Sequence, residues 1–149
     1  MRYLALALPA ALAALATAAP AQDAAQAPLA AVTLNAGIHK IRAEVARSPQ
    51  QSSVGLMHRR EMAANDGMLF SYDVPATRCF WMKNTLLPLS IAFIADDGTV
   101  VNIEDMQPLA LDSHCSKQPV RHALEMNQGW FGRRGIQPGA KLQGAPFTR

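Results

Sequence analysis

The sequence predicts a mostly β domain, either an antiparallel β-sandwich or a partly closed β-barrel, with one or two short helices. Three observations carry this. Apolar and polar residues alternate at period two in several short runs, the pattern of half-buried strands. Turn signals such as Asn35-Ala36-Gly37, Asn65-Asp66-Gly67, Asp96-Asp97-Gly98 and Pro138-Gly139 separate those runs. No segment supplies the crossover helices that a parallel α/β sheet requires.

Taken in order, residues 32–34 form a first strand, and the turn at Asn35-Ala36-Gly37 returns the chain. Ile41, Ala43 and Val45 then alternate with Lys40, Arg42 and Glu44, which completes a hairpin. Ser48-Pro49-Gln50-Gln51 has the form of a capping box with proline at the first helical position, so a short helix is expected over residues 49–57. Gly55 weakens that helix and allows close approach of another element. Residues 68–70 read as a short buried strand, residues 73–77 as a loop around Val74-Pro75, and residues 79–82 as another strand. Residues 89–95 are apolar at successive positions, as in a central strand covered on both sides. Asp96-Asp97-Gly98 turns the chain into a returning strand over residues 99–106. Residues 107–119 are irregular. Val120, His122, Leu124 and Met126 then alternate with Arg121, Ala123 and Glu125. Residues 129–134 suit one helical turn stopped at Gly135, and a last short strand is expected at about residues 141–143.

The amino terminus bears on compartment. Arg2 precedes an uncharged Ala/Leu-rich run over residues 3–18, and Ala19-Pro20-Ala21 offers small residues where a signal peptidase reads. Residues 1–21 are therefore expected to be a signal peptide, and the protein periplasmic or secreted. A membrane anchor is the competing reading, but Pro9 interrupts the run and its length barely spans a bilayer. The Ala/Gln/Pro-rich residues 22–31 are expected to be a disordered leader, and residues 32–149 a single β domain with one core.

Without the first 21 of its 149 residues the chain keeps 13 of its 14 Lys and Arg and all 11 Asp and Glu, a formal charge of +2. So mild a balance argues against nucleic acid as partner. Arg59-Arg60 and Arg133-Arg134 are doublets of solvated surface rather than a stripe. Cys79 and Cys115 are the chain's 2 cysteines. In an oxidising compartment they are expected to pair, closing a loop worth roughly 3–4 kcal/mol. Two separate buried thiols or a soft-metal site are the alternatives.

The sequence has no Gly-x-Ser-x-Gly elbow and no glycine-rich phosphate loop. Its 4 histidines, His39, His58, His114 and His122, show no His-Glu-x-x-His spacing. Methionine is in surplus. Met57, His58, Met62 and Met68 are the best local set for a soft Cu(I) ion, although they lack a tight Met-x-Met or His-x-Met repeat, and core packing is the favoured reading of the methionines. No cofactor is expected.

The stretch Cys79-Phe80-Trp81-Met82-Lys83-Asn84 concentrates aromatic residues against a polar pair. One reading is structural: Asn84 shapes a turn, and Lys83 lays its stem over Trp81. The other is a polar anchor at the rim of an aromatic-walled pocket, with Lys83 meeting an anionic group.

These residues carry a resemblance. "FWMKNTLLPLSIAFIADDGTVVNIEDMQP" resembles the hallmark segment of the DUF192 family, a domain of unknown function found in exported and archaeal-type proteins. "SPQQSSVGLMHR" is similar to the family's helix ending in Gly-Leu-Met-x-Arg, and "DGMLFSY" to its Gly-Met-Leu-Phe strand. "HALEMNQGWFGRRGIQPGAKL" resembles its closing motif, with Leu124, Glu125, Gly129, Gly135, Ile136 and Gly139 in place. Ser90 and Ala140 depart from it, standing where the family often has Asp. The resemblance implies a compact β-rich domain and no particular reaction.

The leading expectation is a non-catalytic binding or accessory module, monomeric and without a stable membrane anchor. Its ligand would be a small molecule or an envelope protein, met by Met57, Trp81, Lys83, Asn84 and Glu125 on one concavity. The alternatives are an envelope hydrolase using Glu125 as acid/base with Lys83 or Asn84 stabilising charge, and a Cu(I)-handling protein.

Overall fold

A computed structural model describes residues 24–147. The signal-peptide expectation, over residues 1–21, lies outside the described residues. The elements are β1 (Ala31–Ala36), β2 (His39–Ala46), α1 (Pro49–Val54), β3 (Asp66–Ala76), β4 (Cys79–Phe80), β5 (Leu89–Ile94), β6 (Val100–Met106), β7 (His114–Cys115), β8 (Val120–Asn127) and β9 (Leu142–Gln143). A single 3₁₀ turn covers Gly132–Arg134 and ends at Gly135 in the left-handed region.

Seven strands form one sheet in the order β6-β5-β8-β3-β2-β1-β9, and β4 pairs with β7 in a separate ribbon. The sheet curls towards closure. Residues 139–142 bond the start of β6 through Val100 N–H to Ala140 at 2.8 Å and Leu142 N–H to Gly98 at 2.8 Å. The same segment continues into β9 against β1, so both ends of the sheet are drawn together. Of the two architectures expected, the partly closed barrel is the one present.

The sheet is not wholly antiparallel, which corrects the sequence reading. β2 and β3 run parallel, with Glu44 opposite Met68 and Ala46 opposite Phe70. A parallel pair needs a long crossover, and residues 47–65 supply it with α1 inside. α1 begins as expected: Ser48 accepts from the Gln51 amide at 3.1 Å, and the Gln51 side chain accepts from the Ser48 amide at 3.1 Å. It ends earlier than expected, at Val54, because Gly55 turns to φ 50.

Two further segments differ from expectation. β3 runs on to Ala76 through the expected loop, and Pro75 is tolerated because the ladder to β8 breaks between Ser71 and Ala76. Residues 24–30, expected to be loose, are tied down. Gln26 donates to the carbonyls of Gln51 and Gly55 at 3.1 and 2.8 Å, and the Leu29 amide donates to Glu44 at 2.7 Å.

Both faces of the sheet are covered, and this positions the site. The inner core joins Leu34, Ile41, Leu69, Ala92, Leu124 and Met126 with Trp130 and Phe131, which follow β8. The outer core joins Met68, Phe70, Ile91, Phe93 and Ala123 with Leu56, Met82 and Leu87 from the covering segments. β5 is buried at every position, as its apolar run requires. Gly67 lets β3 lie close to β8. A Cβ there would stand 2.3 Å from the Met126 sulfur and 2.5 Å from the Glu125 carbonyl.

Candidate functional site

The outer face of the sheet is covered by α1, the β4–β7 ribbon and the segment 81–88. Cys79 and Cys115 face each other across the ribbon and are joined by a disulfide, the expected pairing. The ribbon is pinned further by the Ser116 amide on the Arg78 carbonyl at 2.8 Å and the Arg78 amide on the Ser116 hydroxyl at 3.0 Å. After Phe80 the chain leaves the ribbon. Met82 plugs the outer core, its amide bonded to Ala110 at 3.0 Å, while Trp81 beside it stays half exposed at 49%.

A pocket of about 260 Å³ opens between these elements. Ser52, Gly55 and Met57 line it from α1 and the following turn, Phe70 and Tyr72 from β3, and Cys79 and Phe80 from the ribbon. Trp81 and Thr85 complete the wall, and Glu125 reaches it from β8. Phe80 stands edge-on to Phe70, with ring centroids 4.9 Å apart.

Alternation along β8 decides where Glu125 points. Leu124 and Met126 face the inner core, so Ala123 and Glu125 face the outer one. Met68 and Ile91 are its direct neighbours on the flanking strands. The residue is 5% exposed, and its carboxyl makes no hydrogen bond or ion pair with any described residue. Burial among these apolar side chains pushes its pKa up to about 8, so at neutral pH it carries its proton.

The registers place Glu125 in a row of three glutamates. Glu44, Met68, Glu125, Ile91 and Glu104 lie side by side across β2, β3, β8, β5 and β6. The outer two are matched. Arg59 grips both oxygens of Glu44 at 2.6 and 2.7 Å and holds its pKa down. His114 Nδ1 lies 2.8 Å from Glu104. Glu125, in the middle, has no such partner.

Two cations stand over pocket-lining rings. The Arg78 guanidinium lies 3.8 Å from the Tyr72 ring centroid, and the Lys83 ammonium 5.2 Å from that of Trp81. The Arg78 Nε is buried without a hydrogen-bond partner. Tyr72 is half-buried, and burial raises its pKa, partly offset by a hydrogen bond with Ser52.

Of the five site residues expected from sequence, Met57, Trp81 and Glu125 share this pocket. Lys83 reaches its rim only through Trp81. Asn84 does not line it: with φ 56 it shapes the turn, and its carbonyl accepts from the His58 amide at 2.9 Å. The methionine set is dispersed. Met68 is packed in the outer core, and Met62 borders a different hollow beside Glu44 and Arg59. No group of three or more His, Cys, Asp or Glu among the described residues is placed to hold a metal ion. Tyr72, Phe80, Phe70 and Ser52 are among the lining residues that sequence reasoning missed.

A wider hollow of about 430 Å³ lies where the β1–β2 turn meets residues 134–142. Its cations are engaged, Lys141 with Asp97 at 3.4 Å and Arg134 with Asn65 at 3.0 Å, so it presents no buried group lacking a partner.

The family model of DUF192, described as uncharacterized ACR, matches residues 30–144. The chain belongs to the DUF192 family. No curated protein matches this DUF192 chain. Among solved structures it is similar to a proposed transcription regulator from Sinorhizobium meliloti 1021, at 39% identity and a TM-score of 0.76 over 80% of this chain and 98% of that one. It is also similar to a protein of unknown function from Novosphingobium aromaticivorans DSM 12444, at 36% identity and a TM-score of 0.71 over 76% of this chain and 84% of that one.

Proposed function

We propose that this DUF192 protein is an exported, non-catalytic binding module whose ligand enters the pocket beside Trp81. The observation that carries the reading is the Glu125 carboxyl, buried, unpartnered and facing an aromatic-walled cavity. A buried polar group without a partner costs roughly 1–3 kcal/mol, and a ligand that satisfied it would recover that amount on binding. The cavity is smaller than the roughly 300–1,000 Å³ of sites for drug-sized molecules, so the occupant is small.

A raised carboxyl pKa would also suit a general acid. Tyr72 and Glu125 are, however, the only ionisable side chains among the described lining residues, and Asn84 is committed to its turn. Burial raises the Tyr72 pKa further above neutrality, so beside the protonated Glu125 the pocket offers no ready base for hydrolysis. The regulator description of the Sinorhizobium protein gains no support here. The longest helix among the described residues has 6 residues, too short to serve as a recognition helix.

Export is supported by the Cys79–Cys115 disulfide, a bond that persists in oxidising compartments. No helix among the described residues is long and apolar enough to cross a membrane. Cell fractionation with a carboxy-terminal tag checks location, and recovery in the cytoplasm with both thiols free would remove the export claim. For the site, a fragment screen by ¹⁵N–¹H NMR is expected to yield small molecules that shift the Glu125, Tyr72 and Trp81 resonances together. A screen that leaves all three unmoved at millimolar concentrations refutes the binding module.

A further inference from the structure

We infer that the ligand carries a neutral hydrogen-bond acceptor, a carbonyl or amide, at its buried end and an anionic group at its outer end. This rests on the binding-module reading above and adds the chemistry of the occupant.

The inner end follows from Glu125. Its carboxyl has no cation beside it, and its neighbours across the ladder are Met68 and Ile91. A neutral carboxyl offers one O–H donor and one C=O acceptor. A carbonyl accepts from the first, and an amide engages both. The acids nearest in the same row are already matched, Glu44 by Arg59 and Glu104 by His114, so neither competes for the ligand.

The outer end follows from charge. Arg78 and Lys83 stand over Tyr72 and Trp81, two rings of the wall, and no acid lines the pocket besides Glu125. The buried Nε of Arg78 also lacks an acceptor. An ammonium ligand would meet two like charges and would have to displace the proton of Glu125. The rings that could hold it by cation–π attraction already hold the protein's own cations. An anion meets attraction on both counts.

The titratable or charged groups around Glu125 are few: Tyr72 from β3, Cys79 locked in its disulfide, and Arg78 and Lys83 over the rings. The pH dependence of binding therefore reports on Glu125 until Tyr72 ionises.

The test uses three probes on the disulfide-bonded protein, followed by NMR titration from pH 6 to 9: N-acetylglycine, acetamide and n-butylammonium. N-acetylglycine is expected to shift Glu125 and Trp81 and to bind at least threefold more tightly than acetamide at low salt, an advantage that shrinks as salt rises. Its affinity should be flat at acid pH and fall towards tenfold per unit above about pH 8, where Glu125 loses its proton. Glu125→Gln should abolish the pH dependence, because its amide has no proton to lose in this range. Lys83→Ala with Arg78→Gln should reduce N-acetylglycine to the level of acetamide. Silence from N-acetylglycine, or n-butylammonium binding that strengthens with pH, overturns this ligand class. Other fragments found in the pocket by the broader screen would then leave the binding module standing, whereas silence across that whole screen removes both.

Discussion

Replacing Glu125 by Gln should stabilise the protein, and by an amount that grows with pH. In the unfolded chain this carboxyl titrates near 4.5, and in the folded protein near 8. Between those values the native state holds a proton that the unfolded state does not, so stability falls as pH rises. The slope is about 1.4 kcal/mol per pH unit, which gives roughly 3 kcal/mol by pH 7 and about 5 kcal/mol across the whole window. The glutamine amide would fill the same volume without a proton to lose. For a domain of this size the variant should melt about 10 °C higher at pH 7. His122 also responds to pH, with the opposite sign: burial lowers its pKa, so its contribution is lost as pH falls below about 6.5. It is unchanged in the variant and cancels from the difference. Urea unfolding of both proteins at pH 5, 6, 7 and 8 gives that difference directly. A gap that stays constant across these pH values would refute a buried, proton-bearing Glu125.

Other outcomes follow from the same contacts. Cys79→Ser with Cys115→Ser removes a link across 36 residues and should cost roughly 3–4 kcal/mol in urea unfolding, with increased amide exchange at Phe80 and Trp81. Gly67→Ala sets a methyl against the Met126 sulfur and the Glu125 backbone, and should lower stability by about 2 kcal/mol or more in the same assay. Arg59→Met strips Glu44 of a bidentate partner and should cost about 3 kcal/mol near neutral pH. Because that partner holds the Glu44 pKa down, the loss should shrink as pH drops below about 4.5, which thermal melts from pH 3 to 7 would show.

The parts of this fold legible in the sequence are those written locally. The capping box at Ser48 starts α1, Asp97-Gly98 turns β5 into β6, and the unbroken apolar run of β5 marks a strand buried on both faces. The pairing of β2 with β3 was not legible. Residue periodicity specifies which face a side chain takes and says nothing of which strand lies alongside, and a crossover with a helix of 6 residues looks like a loop. Pro75 hid the length of β3, and Tyr72 with it, because a proline signals a break unless the partner strand has already moved away. The alternation along β8 put Glu125 opposite Leu124 and Met126 correctly. It could not show that the second face is covered as well, so a residue that reads as surface is buried. The turn at Asn84 behaves as the structural reading required, with its backbone in the left-handed region.

The row of three glutamates gives the strongest reason to treat the pocket as more than imperfect packing. One layer of the sheet carries Glu44, Glu125 and Glu104 in register, separated by Met68 and Ile91. Glu44 and Glu125 need a partner for the same reason: a carboxyl facing a covered sheet surface has lost water, whereas Glu104 keeps about a third of its side chain exposed (36%). Arg59 comes from the loop after α1 and His114 from β7, so the covering layer does supply partners where it meets the sheet. Above Glu125 that same layer instead presents Phe80, Trp81 and the disulfide, with Tyr72 of β3 beside them, and leaves a cavity. The fold can match a buried acid, since it does so at Glu44 with Arg59. At the centre it keeps the acid, withholds the partner and stations Arg78 and Lys83 over the surrounding rings, an arrangement that costs stability in the empty protein and that the proposed ligand would relieve.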